Sequence, residues 1–305
     1  MQIRTDLAIE ICHDILSHNS KARGIECKKG LCGPMELEEV HVQDKSGEEL
    51  TGKPAGRYLT LNTGKLWLDD RELFREKVLA FREALSPLVK PYLKGNGSVL
   101  VVGLGNRSIT ADAVGPAAVK SLLVTRHLQK ERPAIFEDLG LWNVCAITPG
   151  VLGQTGIESA HIVKGVTDCV KPEAVIVIDA LASRELDRLV TTVQISDTGL
   201  CPGSGIGIGR PALNESELGV PVISIGTPTV VDAATLAADA IRQFTGDNFD
   251  AEKIRTEWSR NPLNFFVTPK ETDQIINVMG TFIGYGINLA LNRSLTFEDM
   301  LALVG

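Results

Sequence analysis

The fold class of this chain is decided by the stretch Gly97-Ser-Val-Leu-Val-Val-Gly-Leu-Gly-Asn106, continued by Arg107-Ser-Ile-Thr-Ala-Asp112-Ala-Val-Gly-Pro-Ala-Ala-Val-Lys120. The β-branched run from Val99 to Val102, bounded by glycines, is typical of a parallel strand that is covered on both faces. The glycines after it allow a tight turn, and a helix is predicted to follow. Ligands of open α/β sheets bind at the carboxyl ends of the strands. We therefore expect Asp112 to lie in a crevice at that edge.

A second buried strand is predicted for Ala174-Val-Ile-Val-Ile178, and Asp179 follows at its carboxyl end. If the two strands are neighbours in one sheet, Asp112 and Asp179 face one cleft. Paired carboxylates can share a proton, so that one acts as base and the other as acid, or they can hold a metal ion that activates water. Both routes suit a hydrolase. The structural alternative is that these side chains only cap helices or accept hydrogen bonds at the strand ends.

The remaining pattern extends the same architecture. From Ser98 to Phe244, predicted strands and helices alternate, which indicates a parallel sheet with helices on both sides. Glu36 to Gln43 and Arg57 to Leu61 are predicted as additional strands before this unit, and Glu271 to Leu303 as one or two helices after it. We expect one main α/β domain with additions at both ends.

Composition limits the class of partner. The chain has 305 residues, of which 44% are hydrophobic, so it can bury a substantial core. Its 31 Lys and Arg against 38 Asp and Glu give a net charge of -7, which argues against a nucleic-acid-binding protein and suits a basic substrate better. No apolar stretch of secretory or membrane-spanning length is evident, so we expect a soluble intracellular protein without a membrane partner.

Three segments resemble known functional motifs, but each matches its motif only in part. Gly103 to Ser108 is only half of a dinucleotide fingerprint, and Asp197-Thr-Gly199 matches the triplet of pepsin-like proteases although those folds are all-β. The loop from Gly203 to Gly209 could offer backbone amides to an oxyanion or a phosphate, but it lacks the Lys-Ser/Thr ending of a P-loop. A nucleotide- or anion-binding module therefore stays as the non-enzymatic alternative.

Cysteines and histidines give no metal-binding pattern. The six cysteines include a C-x4-C pair, Cys27 and Cys32, without a second pair at zinc-finger spacing, so we predict reduced thiols and no zinc site. The five histidines lie outside the strand-end loops and are expected at the surface. We predict no metal ligands and no cofactor.

Several long motifs, in the right order, resemble one known family. They are Arg4-Thr-Asp-Leu-Ala-Ile-Glu10, Gly103-Leu-Gly-Asn-Arg-Ser-Ile-Thr-Ala-Asp112-Ala-Val-Gly-Pro116, Ile178-Asp-Ala-Leu-Ala-Ser-Arg184, Gln194-Ile-Ser-Asp-Thr-Gly199 with Pro202-Gly-Ser-Gly205, and Gly226-Thr-Pro-Thr-Val-Val-Asp232-Ala233. Together they resemble the germination protease (spore protease) family of endospore-forming bacteria. The resemblance runs from about Arg4 to the C-terminal helices, and it gives the segment from Cys27 to Cys32 no role.

The resemblance implies a fold and an activity. The implied fold has three layers, α/β/α, with a mostly parallel sheet similar to hydrogenase maturation peptidases, extra N-terminal strands and C-terminal helices. The implied protein is an endopeptidase that degrades small acid-soluble spore proteins at germination, is made as a zymogen and forms a homotetramer. It would work in the cytoplasm of the forespore or in the spore core, without direct nucleic acid or membrane partners.

The resemblance also assigns catalysis to Asp112 and Asp179. The family has been treated both as aspartic-like and as metal-dependent. Hydrogenase maturation peptidases use an acidic pair with a histidine around a metal, and no histidine stands at a matching motif here, which favours a metal-free reaction. A weaker expectation is that the loop holding Asp197, Gly203, Gly205 and Gly207 stabilises the oxyanion. A hydrogenase-maturation-type metal-dependent peptidase is the enzymatic alternative.

The N-terminus is similar to the sequence that the family cuts. Family substrates are cleaved after the acidic residue of a Thr-Glu-Ile/Phe-Ala-Ser-Glu type site, and Thr5-Asp-Leu-Ala-Ile-Glu10 matches that pattern. This similarity predicts self-cleavage between Asp6 and Leu7. Residues 1–6 would then be a propeptide, and residues 7–305 a single α/β protease domain.

Overall fold

A mixed β-sheet lies at the centre of the computed structural model, which describes residues 5–18, 22–95, 97–203, 210–245 and 265–304. Within these ranges its nine strands are β1 (Ile25–Cys32), β2 (Met35–Val42), β3 (Gly56–Asn62), β4 (Ser98–Gly103), β5 (Asn143–Ile147), β6 (Ala174–Ser183), β7 (Thr192–Ser196), β8 (Val222–Asp232) and β9 (Phe266–Val267). The strand order is β1-β2-β3-β7-β8-β6-β4-β5, and β9 pairs with β8.

Twelve α-helices surround the sheet in the described ranges. They are α1 (Ala8–His18), α2 (Lys45–Thr51), α3 (Arg71–Val89), α4 (Val114–Lys120), α5 (Arg126–Glu131), α6 (Pro133–Asp138), α7 (Leu152–Thr155), α8 (Ser159–Val170), α9 (Glu215–Leu218), α10 (Ala233–Thr245), α11 (Thr272–Leu291) and α12 (Phe297–Val304). Alternate residues along the central strands pack on opposite helical layers. Val99 of β4 packs in a core with α3, α4 and α11, whereas Leu100 packs with α8 and α9. The predicted α/β class and its three layers are confirmed.

The half of the sheet that leads to Asp112 and holds Asp179 is parallel. β5, β4, β6 and β8 run in the same direction, and β4 pairs directly with β6, with Gly103 opposite Ile178. The strand that precedes Asp112 and the strand that holds Asp179 are therefore neighbours, as the sequence argument requires. Asp179 does not follow its strand, however, because β6 continues past it to Ser183 in its pairing with β8. Both carboxyl ends open on the same edge of the sheet.

The other half of the sheet is antiparallel, so the sheet is mixed where a mostly parallel one was expected. β7 lies within the stretch from Ser98 to Phe244 that predicted a parallel sheet, but it runs antiparallel to both β3 and β8. A parallel return needs a crossover of a dozen or more residues. Only eight residues separate Ser183 at the end of β6 from Thr192 at the start of β7, which is too few for such a connection.

The helix α11 forms the centre of the larger core. By length and composition it could cross a membrane, with a mean hydropathy of 1.3 over its most apolar window, but 72% of that window is buried inside the protein. Gly280 lies so close to α4 that a Cβ there would approach the Cβ of Ala117 to 2.5 Å. The apolar character of α11 is thus accounted for by packing against the neighbouring helix.

One pair of cysteines departs from the expectation of reduced thiols. Cys12 on α1 and Cys27 on β1 form a disulfide, whereas Cys32, Cys145, Cys169 and Cys201 are free. The two bonded residues meet because α1 packs on the β1-β2-β3 end of the sheet, where Cys12 belongs to a small core with Leu7 and Val40. The sequence alone gave no reason to bring α1 to this position.

Candidate active site

Asp112 is held at the end of the β4 loop by the backbone. It closes a 3-10 helix, Thr110–Asp112, and its carboxylate accepts a hydrogen bond from the Asn106 backbone N–H at 2.9 Å. The same N–H reaches the Asp112 backbone carbonyl at 3.0 Å. Gly105 has a φ of +108°, and a Cβ there would lie 1.9 Å from that carbonyl oxygen, so the turn requires glycine. Burial raises the pKa of Asp112, while the Asn106 N–H and the charge of Arg210 oppose this rise.

Asp179 lies deeper, within β6, with only 7% of its surface exposed. One carboxylate oxygen accepts a hydrogen bond from the Ala180 N–H at 2.9 Å. Burial raises the pKa of Asp179 well above its ordinary value, and the carboxylates of Asp112 and Asp6 raise it further. Near neutral pH the proton of the acidic pair is therefore better held by Asp179 than by Asp112.

A cavity of about 440 Å³ joins these groups. Asp112, Asp179 and Asp6 line it together with Arg210 and Thr229. The Arg210 guanidinium acts on both catalytic candidates, since its charge lowers the pKa of Asp112 and of Asp179 against the effect of burial. The cavity thus combines the carboxyl of Asp179, which favours the protonated form, with the less buried carboxylate of Asp112 and the positive charge of Arg210.

The amino-terminal segment docks into this site. The Asp6 N–H donates to the Ala182 carbonyl at 2.9 Å, and the Ala182 N–H donates back to the Asp6 carboxylate at 2.9 Å. On the other side, the Gln194 side chain contacts the backbone of both Asp6 and Ala8. Leu7 lies between them and is fully buried. Asp6, the residue before the predicted cut, is therefore held in the cavity that Asp112 and Asp179 line.

Glu10 fastens the far end of the docked segment. It is 4% exposed, and its two carboxylate oxygens accept the backbone N–H groups of Arg184 and Glu185, each at 2.9 Å. The Thr5 hydroxyl donates to the same carboxylate. Burial raises the pKa of Glu10 and these hydrogen bonds oppose the rise. The loop that follows β6 is thereby joined to both ends of the Thr5–Glu10 stretch.

Asp6 also lines a second, smaller cavity of about 140 Å³. Lys53, Tyr58, Thr198 and Asp179 also line it. Burial lowers the pKa of Lys53, and attraction to the Asp6 carboxylate opposes that fall. Burial also raises the pKa of Tyr58 to about 12, so its hydroxyl stays neutral. This cavity offers a cation and hydroxyl groups to an acidic side chain.

The predicted glycine loop is only partly within the described ranges. Gly203 lines both cavities, whereas Gly205 and Gly207 fall outside the described residues. Asp197 accepts the Arg57 backbone N–H at 2.8 Å and so joins the end of β7 to β3. This contact gives Asp197 a structural role at the end of β7.

Sequence reasoning did not single out Gln194, Glu10 or Lys53. Gln194 and Glu10 stand inside motifs that carried the family resemblance, but their residue types gave no reason to assign them a role. Among the described residues, no three His, Cys, Asp or Glu side chains are grouped so that they could hold a metal ion. Two carboxylates facing a guanidinium do not fit a centre built from an acidic pair and a histidine.

Comparison with known proteins gives a consistent result. The family model described as germination protease matches residues 5–260. The chain is 42% identical to the germination protease of Caldanaerobacter subterraneus subsp. tengcongensis, over 98% of this chain and 97% of that protein. It is 38% identical to the germination protease of Bacillus subtilis strain 168, over 97% and 95% of the two chains.

Among solved structures, the chain is similar to the [NiFe] hydrogenase maturation protease HycI from Thermococcus kodakarensis KOD1. The similarity covers 68% of this chain and 98% of the other, with a TM-score of 0.38 and 14% sequence identity.

Proposed function

The chain belongs to the germination protease family, and on that premise we propose a function for the site. The protein is an endopeptidase that degrades small acid-soluble spore proteins, and Asp112 and Asp179 are its catalytic pair. The observation that carries this proposal is the shared cavity, in which the two carboxyls, from neighbouring parallel strands, interact electrostatically. Peptidases of the aspartic type need one ionised and one protonated carboxyl. The different burial of the two groups supplies that asymmetry.

The roles follow from the two environments. Asp112 is the more exposed and is hydrogen-bonded by a backbone N–H, which favours its ionised form, so it serves as the base that orients water. Asp179 is buried beside two other carboxylates, which favours its protonated form, so it donates a hydrogen bond to the scissile carbonyl. The proton taken from water by Asp112 then passes to the leaving amine.

We further propose that the chain is a zymogen that cuts itself between Asp6 and Leu7. Two observations support this site: the segment is similar to the family's substrate sequence, and it is docked with its backbone hydrogen-bonded to β6 and to Gln194. Residues 1–6 would leave as a propeptide, and residues 7–305 would form the protease domain. While residue 6 is in place, it occupies the region beside Asp179 and obstructs other substrates.

The cavity that contains Lys53 supports a preference for an acidic residue before the cut. Asp6 lines this cavity in the intact chain, and the Lys53 ammonium attracts its carboxylate. A glutamate of a spore protein would occupy the same position after the propeptide has left. We propose that this attraction selects acidic residues at that position.

Mass spectrometry of the purified full-length chain tests the catalytic pair and the cut together. On incubation at about pH 5.5, the chain should lose residues 1–6, because the raised pKa of Asp179 favours its protonated form. The shortened chain should then cleave a peptide containing Thr-Glu-Ile-Ala-Ser-Glu with or without chelator. Asp112→Asn and Asp179→Asn should each remain intact and inactive. Cleavage by either variant would refute the pair, and a cut elsewhere would refute the Asp6-Leu7 site alone.

Family membership also supports the proposal that the protein is a cytoplasmic homotetramer of the spore core. Analytical ultracentrifugation of the intact and the cleaved chain tests the assembly. A monomer at micromolar concentration in both forms would contradict it.

A further inference from the structure

Gln194 is the side chain that touches the predicted cleavage site on both sides. It lies on β7, between Thr60 of β3 and Gly226 of β8, and it is buried. Its Nε2 group donates to the Asp6 carbonyl oxygen at 3.3 Å, and its Oε1 atom accepts the Ala8 N–H at 2.8 Å. One side chain therefore bridges the residue before the cut and the second residue after it.

The orientation of this amide is fixed by chemistry. A backbone N–H can only donate a hydrogen bond, so the amide oxygen of Gln194 must face Ala8. The amide nitrogen is then directed at the Asp6 carbonyl, where its N–H is a donor. If the peptide bond between Asp6 and Leu7 is the one hydrolysed, this carbonyl oxygen is the atom that becomes negatively charged.

We propose that Gln194 is a further catalytic residue, whose side-chain N–H stabilises the oxyanion at the scissile carbonyl. The inference rests on the proposed cut and catalytic pair. It assigns to a side chain on β7 the role that the sequence favoured for the glycine loop. The contact of 3.3 Å is at the long end for a hydrogen bond to a neutral carbonyl. A donor that binds the charged oxygen more strongly than the neutral one accelerates the reaction, because it favours the transition state over the ground state.

The bonds change as follows. The water oxygen forms a bond to the Asp6 carbonyl carbon, and one water proton moves to Asp112. The carbonyl electron pair moves to its oxygen, which accepts hydrogen bonds from Asp179 and from the Gln194 Nε2 group. When the C=O bond re-forms, the C–N bond to Leu7 breaks, and the Leu7 nitrogen takes the proton held by Asp112. One water is consumed, and one carboxylic acid and one amine are produced.

Two variants separate this role from a structural one. Gln194→Met removes both the donor and the acceptor at similar length. Gln194→Glu keeps an acceptor for the Ala8 N–H, and its activity is followed from about pH 5.5 to about pH 8 because only an ionised carboxylate lacks a donor. Self-cleavage in a single turnover is measured on the full-length chain. The kcat and KM for a Thr-Glu-Ile-Ala-Ser-Glu peptide are measured after each protein has lost residues 1–6, because residue 6 obstructs other substrates. Loss of an oxyanion donor typically lowers kcat by about 100- to 1,000-fold, and we expect this in both variants with little change in KM. The matched control is Gln43→Glu, the same charge change at an exposed position, which should react at the parent rate.

The outcomes distinguish failure of this inference from failure of the proposed function. If Asp179→Asn is inactive but Gln194→Met keeps kcat within threefold of the parent, the role of Gln194 is refuted and the catalytic pair stands. If Asp179→Asn is active, the proposed function itself fails. A raised KM with an unchanged kcat would show that Gln194 only binds the segment, which also overturns the inference.

A measurement on the unmutated protein guards against variants that do not fold. A substrate peptide that is N-methylated at the second residue after the cut lacks the N–H that orients the Gln194 amide. Losing one such hydrogen bond of about 1.4 kcal/mol should lower kcat/KM about tenfold. An unchanged rate with this peptide would overturn the inference, whatever the variants do.

Discussion

Replacing Glu10 by glutamine tests how the substrate-like segment is held on the protease. In the native chain, the backbone N–H groups of Arg184 and Glu185 each donate to a different oxygen of the Glu10 carboxylate at 2.9 Å. Glutamine keeps one oxygen and places an NH2 group where the other was. Whichever way the amide turns, one of these part-buried backbone N–H groups then faces another donor.

The expected magnitude follows from these contacts. A hydrogen bond to a charged group contributes about 1.5–3 kcal/mol, and an unsatisfied donor costs up to about 1–3 kcal/mol when it is fully buried, which these part-buried N–H groups are not. Part of this loss is offset, because the substitution also removes the cost of burying a carboxylate, the same cost that raises the pKa of Glu10. We therefore expect Glu10→Gln to lower the free energy of unfolding by about 1–3 kcal/mol.

The assay is urea unfolding at neutral pH, in an Asp179→Asn background so that self-cleavage does not change the chain. The midpoint should fall while the slope stays constant, because the surface exposed on unfolding is unchanged. Glu49→Gln, on an exposed position of α2, is the matched control and should stay within about 0.5 kcal/mol of its background. If Glu10→Gln is no less stable than this control, the Glu10 carboxylate does not hold the segment.

Three further predictions concern protonation, specificity and the disulfide. Burial and two neighbouring carboxylates raise the pKa of Asp179, so the folded state binds this proton more tightly than the unfolded chain does. The free energy of unfolding therefore falls as the pH rises from the ordinary pKa of 3.8 toward the raised one. In urea unfolding, Asp179→Asn should be more stable than the parent at neutral pH and should lose this advantage as the pH is lowered. A stability difference that does not change with pH would contradict the raised pKa of Asp179. Lys53→Met should reduce the preference for Glu over Gln before the cut by about tenfold, the value of one charged contact. The preference is measured as the ratio of kcat/KM for two peptides that differ at this residue. An equal loss of kcat/KM on both peptides would argue against charge recognition. Cys12→Ser should lower stability by about 3 kcal/mol under oxidising conditions, because the bond to Cys27 closes a loop with a sequence separation of 15. Dithiothreitol should abolish that difference, and a difference that persists in the reductant would assign the effect to packing.

The sequence predicts the parts of this molecule whose signal is local. β4 and β6 are recognisable because β-branched runs end in a glycine turn or an aspartate, and the edge that binds ligands follows from parallel strands. The position of β7 could not be read, because an alternating strand of five residues does not reveal its neighbours or its direction. Gln194 was missed for this reason, since its role depends on β7 standing beside the docked segment. The disulfide was missed because α1 and β1 meet only through tertiary packing.

The geometry of the docked segment has a consequence for activation. The proposed cut releases Asp6, which lines both cavities, but it leaves Leu7 to Glu10 attached to the protease domain. Leu7 is fully buried against Val40, Tyr58 and Leu181, and burying a leucine side chain contributes about 1.5–3 kcal/mol. The positions that a substrate needs after its own cut therefore stay occupied by the first turn of α1.

Cleavage alone thus opens only the side of the site before the cut, and turnover of other proteins also requires residues 7–10 to move away. Glu10 opposes that movement through its bonds to the loop after β6. The same Glu10→Gln substitution that destabilises the intact chain should therefore raise kcat/KM of the cleaved chain for an added peptide, by up to about tenfold for each 1.4 kcal/mol of lost docking free energy. A lower kcat/KM in the cleaved variant would mean that the docked first turn of α1 is part of the active enzyme and does not obstruct it.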